Sequence, residues 1–286
     1  MAADATSLVA LGNELWGQGR WAEAAEANRR AARLEPGWSV PWYNLGLNLK
    51  RQRLWAESLD ANRRATELNP EDGDAWWNLG IAATALGDWD TARVAWRGCG
   101  ITVADGSGPP DFDLGPMPIR LNPDGEGEVV WAHRVDPARA ILVNVPYPRS
   151  GYREGDTVLH DGAAAGYRML STAKIPVFDG LQVLEVSARR TTEASVFAPA
   201  EADVEALATA ARDAGTVLED WTASVRNLCR LCSEGVPHDE HEVREGWQPE
   251  RHLGLSAADR ADVMRLLAEW AAAVPGRTVR DVTHHG

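Results

Sequence analysis

The chain has few cysteines, almost no lysine and no long apolar run. Its three cysteines, Cys99, Cys229 and Cys232, are too sparse, and odd in number, for a disulfide scaffold of the secreted kind. No apolar stretch approaches the ~20 residues that span a bilayer. The N-terminal stretch MAADATSLVALGNELWGQGRW has neither the charged leading region nor the continuous apolar core of a signal peptide. A cytoplasmic chain is the expectation. Lysine occurs only at Lys50 and Lys174 among abundant arginines, which reads as base-composition bias rather than function. No basic stripe offsets the net charge of −13. Residues 1–100 carry 11 basic and 13 acidic side chains, and the remainder 18 and 29, so the acidity belongs to the C-terminal part. A phosphate backbone or an anionic membrane surface would be repelled there, which argues against nucleic acid and membrane as partners. Signatures of catalysis are also scarce. No G-x-x-x-x-G-K-[ST] loop, G-x-S-x-G elbow or H-E-x-x-H helix occurs, and Gly106-Ser107-Gly108 runs into two prolines that cannot open a dinucleotide-binding helix. His160-Asp161 ends a predicted strand before a glycine and reads as a turn, while His133 and His252 have no partner nearby in the sequence.

What is present is a repeat. ANRRA occurs at Ala27–Ala31 and again at Ala61–Ala65, an offset of 34 residues. At the same step, Leu11-Gly12 meets Leu45-Gly46 and Leu79-Gly80, Trp21 meets Trp55 and Trp89, and Ala24 meets Ser58 and Ala92. Pro36 meets Pro70, with Ala104 in the third unit. Within each unit apolar residues recur at spacings of three and four, the period of an amphipathic helix. Leu8, Leu11 and Leu15 make one stripe, and Trp42, Leu45 and Leu49 its copy. The small residues let paired helices approach closely, Gly19 and Gly87 supply turns, and Pro36 and Pro70 end second helices. The arginines of ANRRA are expected to face solvent or pair with Glu26, Asp60 and Glu67. Cys99 replaces a small alanine and is expected to be a core thiol.

With these residues, and the run WYNLG to ELNP over Trp42–Pro70, the sequence resembles the tetratricopeptide repeat family across roughly residues 5–104. The resemblance implies three helix pairs stacked as a solenoid with a concave face. It implies that first-helix residues line that face: Val9, Asn13, Tyr43, Asn44, Leu47, Trp77, Asn78 and Ile81. The implied ligand is a protein or an extended peptide, whose backbone the asparagine amides can hydrogen-bond. One subclass clamps a C-terminal carboxylate with lysines and arginines in the groove. The matching positions here are Val9, Asn13, Asn44, Asp74 and Asn78: the asparagines fit but the basic residues are missing, so carboxylate-tail recognition is rejected. The other possibility is that the repeats pack against the protein's own C-terminal part.

Helical periodicity fails after Cys99, and ADGSGPPDFDLGPMP reads as a linker. The period then changes to two. PIRL and EVVWAHRV flank the hairpin signal NPDGEG, and AILVNVPYP, GDTVLH and IPVFDGLQVLEV follow as further short β runs. TEASVFAP reads as a strand and AEADVEALATAARDAG as a helix with Val204, Leu207 and Ala211 on one face. TVLEDWTASVRNLC reads as a strand followed by a second strand or a helix. The β-α-β order suggests a small α+β unit of ferredoxin-like type. A last helix is predicted in SAADRADVMRLLAEWAAAVPG with Ser256 as N-cap, and the tail at His284-His285 is taken as disordered. The expected organisation is a mixed fold: an all-α repeat array over residues 1–104, a linker over 105–115, a small antiparallel sheet or barrel over 116–190, and an α+β unit over 191–286.

One stretch carries candidate chemistry. In CRLCSEGVPHDEH, Cys229 and Cys232 form C-x2-C, with His238 and His241 close behind. Two thiolates and two imidazoles are the donor set of a tetrahedral zinc site, although H-x2-H is tighter than the usual histidine spacing and His252 or Glu240 are substitutes. A redox pair would need the thiols at a helix N-terminus, and Ser-Glu-Gly-Val-Pro breaks a helix. Four protein ligands leave no open position for water, so a structural zinc is preferred over a catalytic one. The expected function is an adaptor or regulatory protein that binds a partner through its repeats. The alternative is a zinc-dependent enzyme whose repeats recruit a substrate or partner.

Overall fold

The computed structural model describes residues 4–125, 127–170, 173–223 and 246–286. Two compact units result, residues 1–112 with 136–138, and residues 113–135 with 139–286.

The first unit is built on six helices. They are α1 (Ala5–Gly17), α2 (Trp21–Leu34), α3 (Ser39–Arg51), α4 (Trp55–Leu68), α5 (Gly73–Leu86) and α6 (Trp89–Gly98). Each packs on the next, and α3 also touches α1 and α5. The caps follow from sequence. Asp4, Asp72 and Asp88 precede α1, α5 and α6, and each side chain accepts a first-turn N–H, which satisfies donors the helix leaves orphaned. The turns inside the pairs need a left-handed residue, supplied by Gly19 (φ 73°), Arg53 (φ 59°) and Gly87 (φ 69°).

Close approach within each pair rests on Gly12, Gly46 and Gly80. A Cβ at Gly46 would lie 2.4 Å from Asn62 Nδ2, one at Gly12 2.5 Å from Asn28 Nδ2, and one at Gly80 2.4 Å from the Trp96 ring. Asn28, Asn62 and Trp96 are themselves 34 residues apart. The asparagine of ANRRA is therefore a buried spacer between helices, with Nδ2 donating to the carbonyl four residues back, Ala24 or Ser58. Its arginines do pair at the surface: Arg29 with Glu26 and Glu57, Arg63 with Asp60, and Arg64 with Glu67.

Helix α6 stops earlier than α2 and α4. Gly98 packs against Trp76, where a Cβ would come within 2.4 Å of the indole, and Gly100 has φ 78°. The Gly/Pro-rich stretch that follows forms no regular element up to Leu114, but α6 holds its backbone. The buried Arg93 donates to the carbonyls of Ala104 (3.1 Å) and Gly108 (2.5 Å), and Arg97 to that of Val103 (3.0 Å).

The second unit begins with a closed barrel of β1 (Gly115–Leu121), β2 (Glu128–Arg134), β3 (Arg139–Leu142), β4 (Thr157–Leu170) and β5 (Ala173–Glu185). Neighbours are antiparallel, and β1 closes on β5 in parallel through Ile119↔Phe178 and Arg120↔Asp179. An up-and-down path of five strands must end parallel to its start. The core is Met117, Ile119, Leu121, Val130, Ala132, Ala140, Leu142, Val158 and Phe178. The Arg120 guanidinium forks onto Asp179 at the seam, with N···O distances of 2.7 and 3.1 Å. β4 is irregular between His160 and Gly166, where its register against β5 shifts.

Among the described residues the unit continues with β6 (Arg190–Phe197), α7 (Glu201–Asp213), β7 (Val217–Asp220), β8 (Glu250–Ala257), α8 (Arg260–Ala273) and β9 (Thr278–His285). The sheet order β7-β8-β6-β9, all antiparallel, with the chain order β-α-β-β-α-β, is the ferredoxin-like arrangement. Val204, Leu207 and Ala211 of α7 join Leu253, Leu255, Val263, Leu267 and Trp270 in its core, on the predicted face of the helix.

Two expectations here are corrected. Ser256 does not cap the last helix: it is buried at the end of β8, its hydroxyl donates to Glu154 Oε2 (3.0 Å), and Asp259 caps α8 by accepting from Ala261 N–H (2.8 Å). The tail is not disordered, since His284 and His285 pair with Thr192 and Thr191 as the end of β9. That partner strand lies some 90 residues upstream, beyond any local pattern.

Candidate functional site

The candidate site is the first-helix face of the repeat array, on α1, α3 and α5. The 34-residue step puts Val9, Tyr43 and Trp77 at one repeat position and Asn13, Leu47 and Ile81 at another. Asn44 and Asn78 form a third row. Asn13 is exposed, and Tyr43, Asn44, Leu47 and Trp77 are partly exposed. Val9, Asn78 and Ile81 are buried, Val9 among Ala5, Leu8 and Ala31. Trp77 stands edge-on to Trp96, ring centroids 5.2 Å apart, so a core residue of α6 fixes its ring.

The asparagines link neighbouring helices. Asn44 Nδ2 donates to Asn13 Oδ1 at 3.3 Å across α3 and α1. Asn78 Oδ1 accepts from Lys50 Nζ at 2.7 Å, a contact between α3 and α5 with both side chains buried. Asn48, one turn after Asn44, is also buried and donates to the Asn44 carbonyl (2.6 Å). Lys50 is the residue that sequence reasoning missed. The signal was one of two lysines in the chain, at the end of a first helix, but its 34-residue mates are Trp16 and Thr84, so the repeat pattern gave no reason to look there. Asp74, at a position where the carboxylate-binding subclass is basic, is exposed in the first turn of α5.

Cys99 is half-buried at the end of α6, with Sγ 3.7 Å from the Gly73 carbonyl, rather than fully in the core. Burial, with a smaller push from Asp74, raises its thiol pKa to about 11, which disfavours the thiolate at neutral pH.

In the second unit the histidines find partners that the sequence does not show. His133 Nε2 lies 2.8 Å from Asp113 Oδ1. On the outer side of the ferredoxin-like sheet, Glu193 takes His252 Nε2 on one oxygen (2.8 Å) and His285 Nε2 on the other (3.1 Å). Burial pushes the Glu193 carboxyl up, but these two histidines outweigh it and hold it below its ordinary value. His160 is fully buried in β4, its Nδ1 accepts from Gly162 N–H (3.0 Å), and it packs on Phe178. Burial, helped by the charge of Arg134, lowers its pKa to about 3. Among the described residues no three His, Cys, Asp or Glu side chains are arranged to hold a metal. Cys229, Cys232, His238 and His241 lie outside the described residues. No helix among the described residues is long and apolar enough to cross a membrane.

Stacked antiparallel helix pairs with a 34-residue step define a helical-repeat array. Residues 43–96 match the tetratricopeptide repeat family. Similar solved structures include the second TPR of Spaghetti (RPAP3) bound to the HSP90 peptide SRMEEVD. It is 20% identical over 34% of this chain and 89% of that chain, with a TM-score of 0.33. The Sgt2 TPR domain from Aspergillus fumigatus is 19% identical over 33% of this chain and 63% of that chain, TM-score 0.32. The TPR2B-domain:pHsp70-complex of yeast Sti1 is 18% identical over 33% and 76%, TM-score 0.32. No curated protein matches the chain. The barrel and the ferredoxin-like sheet lie outside the residues matched to the family.

Proposed function

We propose that the protein is a cytoplasmic adaptor or regulator whose tetratricopeptide repeats take an extended segment of a partner protein along α1, α3 and α5. The observation that carries the reading is the row of accessible side chains that the 34-residue step places on first helices: Asn13, exposed, with Tyr43, Asn44, Leu47 and Trp77, partly exposed. Two flat aromatic surfaces flanked by side-chain amides suit a peptide, because aromatics supply contact area and amides pair with a backbone. Similar structures from Spaghetti and Sti1 were solved with an HSP90 peptide and with pHsp70. A peptide ending in a free carboxylate is not the proposed ligand: at the matching positions Val9, Asn13, Asn44, Asp74 and Asn78 the asparagines fit that mode, but the lysines and arginines it needs are missing. A triple variant, Tyr43→Ala, Asn44→Ala and Trp77→Ala, tests the reading. A partner recovered by the wild type should be lost by the variant at unchanged helical content. Equal recovery would count against the groove.

The second part of the proposal is a structural zinc held by Cys229, Cys232, His238 and His241. Its support is the donor set: two thiolates and two imidazoles are complete for a tetrahedral ion. Elemental analysis should find near-unit zinc, and Cys229→Ser should lose both the metal and part of the folding stability. Absence of zinc from the wild type removes this part. Retained fold after metal loss would favour the enzyme alternative instead.

A further inference from the structure

The second-helix side of the array holds a pocket of its own. It is an open cleft of about 540 Å³ where α4, α5 and α6 meet, walled by Trp76, Leu79, Val94 and Pro70, with Arg63 and Asp90 on the rim. Trp76 is fixed there, since its Nε1 donates to the Pro70 carbonyl (2.8 Å) and its ring is backed by Gly98. Val94 is 53% exposed.

The internal repeat shows why the cleft is open. At the first junction, 34 residues earlier, Arg63, Thr91 and Val94 correspond to Arg29, Glu57 and Asp60. There Arg29 reaches from α2 to Glu57 on α4 at 3.0 Å, so an ion pair spans the gap. At the second junction Thr91 replaces the glutamate and Val94 replaces the aspartate. Arg63 keeps only the pair on its own helix, with Asp60 at 3.2 Å, the counterpart of Arg29 with Glu26, and the space between α4 and α6 is left with an apolar wall. The charges on the rim do not cancel. Arg63 is paired with Asp60 and Glu67 with Arg64, while Asp90 makes no ion pair among the described residues. The rim charge without an ion-pair partner is thus the negative charge of Asp90, in the first turn of α6.

We propose that this cleft is a second docking site on the repeats, distinct from the first-helix face, for a partner segment that inserts an aliphatic side chain beside a basic residue. The aliphatic group covers Trp76, Leu79 and Val94, and the adjoining cation meets Asp90. The charge of the occupant follows from Asp90 and its size from the cleft.

Two blocked dipeptides serve as probes, acetyl-Leu-Arg-amide and acetyl-Leu-Glu-amide, titrated into the full chain with the Trp76 indole N–H and Val94 methyl resonances observed by NMR. Saturable shifts are expected from the arginine probe at millimolar concentration, as befits a single side chain in an open site. Weakening by about threefold or more is expected with the glutamate probe. The double variant Thr91→Glu/Val94→Asp restores the residues that stand at the first junction, and so lets Arg63 span the gap. It should keep the fold and lose the shifts, and Val94→Asp alone gives the same readout if the double variant does not fold. No saturable shift, equal affinity for the two probes, or shifts that persist in a folded variant would each overturn the proposal. The first-helix triple variant Tyr43→Ala, Asn44→Ala, Trp77→Ala should bind the arginine probe as the wild type does. Loss of binding there would also overturn a separate site.

Discussion

Residues at matched repeat positions show what backbone geometry costs. Arg53 sits at φ 59°, where the other two units have Gly19 and Gly87. A side chain in the left-handed region costs about 1 kcal/mol, partly offset because glycine loosens the unfolded chain. Arg53→Gly should therefore stabilise the array by about 0.5 kcal/mol, measured from the urea midpoint. Gly46→Ala should do the reverse. Its new Cβ meets the buried Asn62, which lacks space to retreat, and overpacking of this kind costs about 1–3 kcal/mol. His160 gives a pH signature with a defined sign. Its pKa is lowered to about 3 in the folded state against an ordinary 6.5, so the native imidazole stays neutral while the unfolded one protonates. Stability is then present above about pH 6.5 and is lost as pH falls from there toward 3. Between pH 7 and 5 the wild type should lose about 2 kcal/mol more than a folded His160→Gln variant, read from urea unfolding at the two pH values.

At the scale of elements, local pattern and distant pairing part company. The six repeat helices, the β1–β2 hairpin and the buried face of α7 were legible because each is written within a short window. Helix α8 was legible too, but its start was not: Ser256 and Asp259 are both acceptable caps, and only burial of Ser256 against Glu154 decides between them. β8 and β9 went unread because Gly254, Ser256 and the terminal histidines dilute their alternation. Gly254 is required for packing, since a Cβ there would lie 2.3 Å from the Trp221 ring. The barrel seam offers the clearest test at this scale. Arg120 and Asp179 are 14% and 10% exposed and join strands 59 residues apart. Asp179→Ala strips a largely buried guanidinium of its bidentate carboxylate and should cost about 3 kcal/mol. Loss of hydrogen-exchange protection in β1 and β5, with α1–α6 unaffected, would be the accompanying sign.

For the whole molecule, charge sets a prediction that no single element carries. With a net charge of −13 at pH 7 and an isoelectric point near 5.0, self-repulsion keeps molecules apart at neutral pH and vanishes near pH 5. Light scattering should show a solubility minimum near pH 5 and rising scattering with added salt at pH 7. The sequence by itself determined the repeat array, because a 34-residue step needs only agreement between neighbouring segments. It also determined the mixed fold class. Tertiary structure decided which residues of the implied groove stay accessible, because exposure depends on what packs over a side chain and not on its spacing. It placed Lys50 against Asn78, joined Glu193 to two histidines drawn from strands far apart, and turned the terminal histidines into the edge of a sheet. Each of these needs contacts between residues tens of positions apart, and a periodicity of three, four or two carries no record of them.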